Sequence, residues 1–219
     1  SLGTGLVTVA GVGTSMNIEW TASSDMVGDG LHLGIAVAPG SAAAGVVNDK
    51  AMSGSSGGVG GGYDITIGHT GLMDGLELFA GVSSIDQDAT TGGYSDDRSQ
   101  YAAGLTYAMG SFTVGYQVSH DNFNRTGAAT TAYYENSAYG VSFAVNDDLS
   151  ISYGNHTSER GLTAATEAPV ELEAESLQIA YSMGGMSVKI AESSVDNANY
   201  ASGTGSDNDG RTIAVTLAF

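Results

Sequence analysis

Cysteine is absent, so no disulfide framework holds this chain together. Only two prolines occur in 219 residues. Basic residues are scarce: six Lys and Arg stand against 24 Asp and Glu, for a net charge of −18. Neutralising phosphates takes Lys and Arg, so nucleic acid is a poor partner. No apolar run approaches the roughly 20 residues that a membrane-crossing helix needs. The longest candidate, Leu31 to Val47, is broken by Gly34, Pro39, Gly40 and Gly45 and carries His32. The opening residues lack the basic stretch and apolar core of a secretory leader, and none is expected in this chain. Metal signatures are missing as well: there is no Asp-x-Asp-x-Asp-Gly loop and no Gly-Gly-x-Gly-x-Asp repeat.

What the chain does have is glycine, 33 residues of it, and apolar side chains spaced in alternation. The last nine residues set the pattern. Ile213, Val215, Leu217 and Phe219 alternate with Thr212, Ala214, Thr216 and Ala218. Period-two alternation puts one kind of side chain on each face of an extended strand. The same pattern recurs at Met16-Ile18-Trp20, Leu31-Leu33-Ile35-Val37, Tyr63-Ile65-Ile67 and Leu76-Leu78-Ala80-Val82. It returns at Tyr101 to Met109, Phe112 to Val118, Tyr139 to Val145, Leu149 to Tyr153, Leu177 to Met183 and Met186 to Ile190. Eleven strands are therefore expected within residues 14–219, preceded by a Gly- and Ala-rich run-in over 1–13. Each would be about nine to eleven residues, the length of a tilted strand crossing a bilayer. Phe79 violates the alternation, falling on the small-residue face.

The connections sort themselves. Short turns near Gly71-Asp74, 109–111, 146–148 and 184–185 alternate with long connections at 39–60, 85–97, 120–132, 158–173 and 196–211. A bulky apolar face backed by a small, polar one gives a soluble sandwich nothing to fill its core. Sorted loops and that face asymmetry predict an all-β fold, a transmembrane antiparallel up-and-down barrel.

The tight turns Tyr107-Ala-Met-Gly-Ser-Phe112, Ala144-Val-Asn-Asp-Asp-Leu-Ser150 and Tyr181-Ser-Met-Gly-Gly-Met-Ser187, with the terminal strand ending in Phe219, carry a resemblance. In these residues the chain resembles Gram-negative general porins of the Gly-rich, acidic alphaproteobacterial type. That resemblance implies a sixteen-stranded barrel, a homotrimer, and a long third loop folded into the pore as a constriction. It implies outer-membrane localisation, with lipid and lipopolysaccharide as partners and Phe219 as the assembly signal for the barrel-assembly machinery. Single-chain bacterial barrels have even strand numbers. Eleven strands would then be strands six to sixteen, and residues 1–13 the run-in from the constriction-loop region.

By parity, Glu19, His32, Asp64, Glu77, Arg98, His156 and Lys189 share the small-residue face and are expected to line the pore. With acidic residues predominating, weak cation selectivity is expected. Trp20, Tyr107, Phe112, Phe143, Tyr181 and Phe219 would form an aromatic girdle at the short-turn side, answered by Tyr63, Tyr101, Tyr133, Tyr134 and Tyr139 towards the loops. The loop carboxylates Asp86, Asp88, Asp96, Asp97, Glu159, Glu167, Glu171, Glu173, Glu175, Asp207 and Asp209 read as solvated charge. Ca²⁺ or Mg²⁺ bridging them to one another or to lipopolysaccharide is the sharper alternative, and no other cofactor is expected.

Two rival functions accompany the channel. One is a Gly-rich surface adhesin or layer protein. The other is an outer-membrane barrel enzyme using His120-Asp121 or Asp96-Asp97, and it lacks any metal-ligand spacing around those residues. The expectation is a diffusion channel, not an enzyme.

Overall fold

The computed structural model describes residues 18–22, 24–38, 61–86, 94–127, 130–164, 168–203 and 205–217. Phe219, the run-in 1–13, the long connection over 39–60, Asp88 and Glu167 lie outside the described residues.

Alternation does become strand. One antiparallel sheet contains β1 (Ile18–Thr21), β2 (Leu31–Ala38), β3 (Gly62–Thr70), β4 (Leu76–Ile85), β5 (Arg98–Met109), β6 (Phe112–Asn122), β7 (Thr131–Ala144), β8 (Leu149–Leu162), β9 (Val170–Met183), β10 (Met186–Asp196) and β11 (Asn208–Leu217). Spatial order follows chain order from β1 to β11, so the topology is up-and-down throughout. β1 and β11 do not pair with each other, and the sheet is open. A single helical turn, α1 (Ser24–Val27), occupies the first short connection. A 3-10 turn at Ala198–Tyr200 follows β10.

Strand count and order match the sequence expectation, but strand length does not. β7, β8 and β9 have 14 residues each. The connection expected over 158–173 is shorter, because β8 runs on to Leu162 and β9 starts at Val170. Glu159, Glu171, Glu173, Glu175 and Asp209, expected in loops, are strand residues. The reason is physical: a carboxylate is compatible with a strand wherever its face meets water, so an acidic alternation extends a strand as an apolar one does.

Residues paired directly across an antiparallel ladder point to the same side, so the register divides the sheet into two faces. Face A holds Trp20, Ile35, Ile65, Val82, Leu105, Val114, Val141, Ile151, Ile179, Ile190 and Val215. Face B holds mainly Gly, Ala, Ser and Thr with some Asn and Gln. Among the described residues no second layer of secondary structure covers either face: each strand packs on its neighbours, and the 3-10 turn packs on β9. The buried apolar residues among those described are Ala22, Ala38, Ile85, Leu172 and Ala174, which is no core for a sheet this size. Face A's large apolar side chains are open to solvent instead, Ile213 at 63% and Ile67 at 49%.

Followed across the sheet, the hydrogen-bonded rows leave the apolar zone. One row starts at Leu76, continues through Tyr107, Val114, Val141, Tyr153 and Leu177, and ends on Glu192 and Arg211. Another, nearer the long loops, passes from Ile65, Val82 and Tyr101 to Glu135, Glu159 and Glu171. The short turns drift in the same sense. Met109–Phe112, the last pair of one hairpin, shares its row with Ile179–Ile190, yet the β9–β10 hairpin continues past that row to Met183–Met186. The apolar band therefore keeps level with the turns while the rows slant through it. A cumulative stagger of one sense is the shear that tilted, barrel-forming strands require.

Candidate functional site: the small-residue face and its loop-side mouth

All seven residues expected to line a pore share face B. Glu19 pairs with Ala36, His32 with Gly68, Asp64 with Ser83, Glu77 with Thr106, Arg98 with Ile85, His156 with Ala138 and Lys189 with Ala180. They are spread over seven strands and do not converge on one point. Phe79 is also on face B, as its parity requires. Its ring lies over Gly104, where a Cβ would come within 2.6 Å of the ring. The glycine gives the misplaced aromatic its room.

Towards the long loops, face B closes into a bonded network. The Arg98 guanidinium forks onto Asp121, with Nε donating to Oδ1 at 2.7 Å and a terminal nitrogen donating to Oδ2. Asp121 is only 3% exposed. Asn136 Nδ2 donates to Ser119 Oγ at 3.1 Å, and Ser158 donates to Asn136 Oδ1 at 2.5 Å. Ser158, fully buried, meets the Tyr200 hydroxyl at 2.7 Å. Since its one proton is used on Asn136, Tyr200 is the donor there. Tyr200 comes from the β10–β11 connection and reaches over β9 to β8 and β7.

Aromatic and cationic groups extend this network sideways. Arg98 and Arg125 lie over the Phe123 ring at 4.2 and 4.9 Å, and Phe123 meets Tyr134 edge-on at 5.9 Å. Tyr134 meets Tyr200 at 5.3 Å, and Arg160 lies over Tyr200 at 5.0 Å. Burial pushes the Tyr200 hydroxyl above its ordinary value. Tyr134 therefore stands on face B, and the structure corrects its assignment to a loop-side girdle: its odd-numbered neighbours Tyr133 and Tyr139 take face A. Sequence parity could have placed Tyr134. The contact with Tyr200, 66 positions away, had no local signal.

Face A divides into two zones. Trp20, Tyr107, Phe112, Phe143 and Tyr181 all lie on it near the short turns, and Phe112 stacks on Phe143 at 4.4 Å. Nearer the loops stand Glu135, Glu159, Glu171, Glu173, Glu175, Glu192, Asp196 and Asp209, with Arg211 as their cation. Tyrosines bridge the zones: Tyr133 donates to Glu159 at 2.8 Å and Tyr153 to Glu175 at 2.7 Å. Much of the negative charge thus sits on face A. Face B, with Glu19, Asp64, Glu77 and Asp121 against Arg98, Arg160 and Lys189, is close to balanced.

His120 and Asp121, singled out for catalysis, are apart, and Asp97 N–H donates to Asp96 Oδ1 at 2.8 Å. His120 is on face A, stacked between Tyr101 at 5.3 Å and Tyr133 at 5.7 Å, with Nδ1 3.3 Å from Glu135. That approach is close enough for ion pairing but is not aligned as a hydrogen bond. Asp121 points the other way, to Arg98, so the two form no dyad. A Gly-x-Ser-x-Gly string does occur at residues 54–58, in the Gly- and Ser-rich connection outside the described residues. Among the described residues no three metal-ligating side chains converge.

No protein-family model matches the chain, and no curated protein is significantly similar to it.

Proposed function

We propose that the chain is the wall of an outer-membrane porin, a water-filled channel for passive diffusion of ions and small hydrophilic solutes. The observation that carries this reading is the uncovered apolar band of face A, spanning the sheet and backed by a small, polar face B. Soluble monomers rarely expose contiguous apolar patches beyond a few hundred Å². Hydrocarbon covers such a band at no cost, and water suits the opposite face.

In this reading the girdle aromatics on face A sit at the headgroup boundary, with Phe219 as the assembly signal. The charged side chains of face B, Glu19, Asp64, Glu77, Asp121, Arg98, Arg160 and Lys189, line the lumen with His32 and His156. Their near balance argues for ion selectivity that is weak. The acidic zone of face A stands above the hydrocarbon, where divalent cations bridge it to lipopolysaccharide. Open edges in lipid would each leave a row of unpaired backbone groups. β1 and β11 are therefore completed by further strands, as the last eleven of sixteen would be, in a homotrimer. No catalysis is assigned.

Heat-modifiable migration of the purified protein in detergent gels, sharpened by Ca²⁺ and blunted by chelation, is the expected result, with stepwise conductance in planar bilayers. A protein that is soluble without detergent and never conducts would sink the channel. It would favour the layer-protein reading, which the open edges at β1 and β11 support through pairing between copies.

A further inference from the structure

The resemblance to porins locates the pore restriction in a third loop, yet in this chain a different connection is folded over face B. We infer that the β10–β11 loop is an inward latch, fastened by Tyr200 across β8 and β7, and that Tyr200 with Arg160 forms the size and charge filter of the solute path. The inference rests on the channel reading for its functional consequence; the latch itself stands on geometry alone.

The foot of the loop is tied down first. Asn197 Nδ2 donates to the Glu171 carbonyl at 2.8 Å, its backbone N–H donates to Asp207 at 3.1 Å, and Ala198 N–H donates to the Ser206 carbonyl at 2.8 Å. The tip is then driven onto face B. Tyr200 reaches Ser158 through its hydroxyl, receives Arg160 on its carbonyl at 3.2 Å and on its ring, and packs against Tyr134. Asn197, Asn199 and Tyr200 all have left-handed backbone, with φ of 51, 60 and 57°. Asparagine tolerates that region; a bulky tyrosine does not adopt it without compensation. The docking contacts supply the compensation, which marks a segment with two states: docked and strained, or released and relaxed.

Arg160 makes no ion pair among the described residues, in a protein of net charge −18. A positive charge held under the latch, on a face where Asp121 already neutralises Arg98, offsets the acidic groups of face B beside the docked loop. Solutes passing along face B would meet the Tyr200 ring as the size limit and the Arg160 guanidinium as the charge.

The test uses two readouts. In planar bilayers, Tyr200→Ala should raise single-channel conductance and admit larger neutral sugars, and Arg160→Gln should move the reversal potential towards cations. Independently, the chain's lack of cysteine makes Ser158→Cys a unique probe. Its modification by a water-soluble thiol reagent should be slow with the latch intact and at least about fivefold faster with Tyr200→Ala added, since the ring's contacts with Tyr134 and Arg160, which the probe leaves in place, are together worth about that much. Equal labelling rates overturn the latch. Faster labelling with conductance unchanged from a conducting wild type overturns the filter and leaves the channel standing. Faster labelling with no conductance from any variant overturns the channel, and the filter with it.

Discussion

The short-turn half of the sheet and its long-loop half are made by the same strands, yet they follow opposite rules. Near the turns, Ile151, Ile179, Ile190 and Ile213 form one uncovered row on face A, and the sequence neighbours on face B are Ser152, Gln178, Ala191 and Thr212. Near the loops, face A turns acidic and face B becomes a closed network of ion pair, hydrogen bonds and stacked rings. What changes between the halves is the solvent each side chain is built for. On the channel reading, the short-turn half meets hydrocarbon outside. The long-loop half then meets water outside and a docked loop inside, so it has to satisfy its own polar groups.

The contrast is broken most severely by one charge in the wrong half. Ile179 and Gln178 are adjacent in β9 and point to opposite faces. Ile179→Arg should prevent the protein from reaching its heat-resistant form in lipid, because an arginine facing the bilayer midplane costs about 2–4 kcal/mol. Gln178→Arg, facing the aqueous side, should reach it as the wild type does. Similar behaviour of the two variants would remove the distinction between the faces.

A second comparison sets the sheltered ion pair against the open one. Asp121 is nearly buried, so Arg98→Ala strands its carboxylate without a partner and also uncovers the Phe123 ring. A loss of about 3 kcal/mol is expected, from unfolding in detergent. Arg211 and Glu192, on face A, are 66% and 51% exposed as side chains. Arg211→Ala should cost about 1 kcal/mol or less. If both variants melted alike, face B near the loops would be as wet as face A.

These halves were not equally legible in the sequence. The strands of the short-turn half announce themselves, since Ile, Val and Leu at every second position admit no other reading, and the face of every expected lumen residue followed from parity. In the long-loop half the same period-two pattern is written in carboxylates. Glu171, Glu173 and Glu175 alternate with Leu172 and Ala174, which reverses the usual polarity of the faces and reads as an acidic loop. The ladders with Glu159, Thr157 and Asn155 on one side and with Ser194 and Asp196 on the other make β9 there. The latch was less legible still. Asn197-Ala-Asn-Tyr200 carries no local mark of its destination, and its partners lie on β7 and β8, selected by the fold of the connection rather than by any spacing.

The smallest effect separates the latch from the surface around it, and it depends on pH. Tyr200 donates to Ser158, and burial raises the pKa of its hydroxyl above the ordinary 10.0. The Ser158 contact and, less strongly, the charge of Arg160 pull the other way, and burial wins. A tyrosinate could not donate, and it would turn its charge on an oxygen whose proton is already committed to Asn136. Because the folded state holds the proton more tightly than the unfolded chain, the stabilisation is complete below about pH 10 and is lost as pH climbs through the raised value. Tyr200→Phe keeps the ring contacts and removes the hydroxyl, at a cost of about 1 kcal/mol. The melting temperatures of wild type and Tyr200→Phe should therefore stay a constant interval apart from neutrality to about pH 10, then converge. Convergence on the acid side instead, or none at all, would mean that the Tyr200 hydroxyl does not hold the loop.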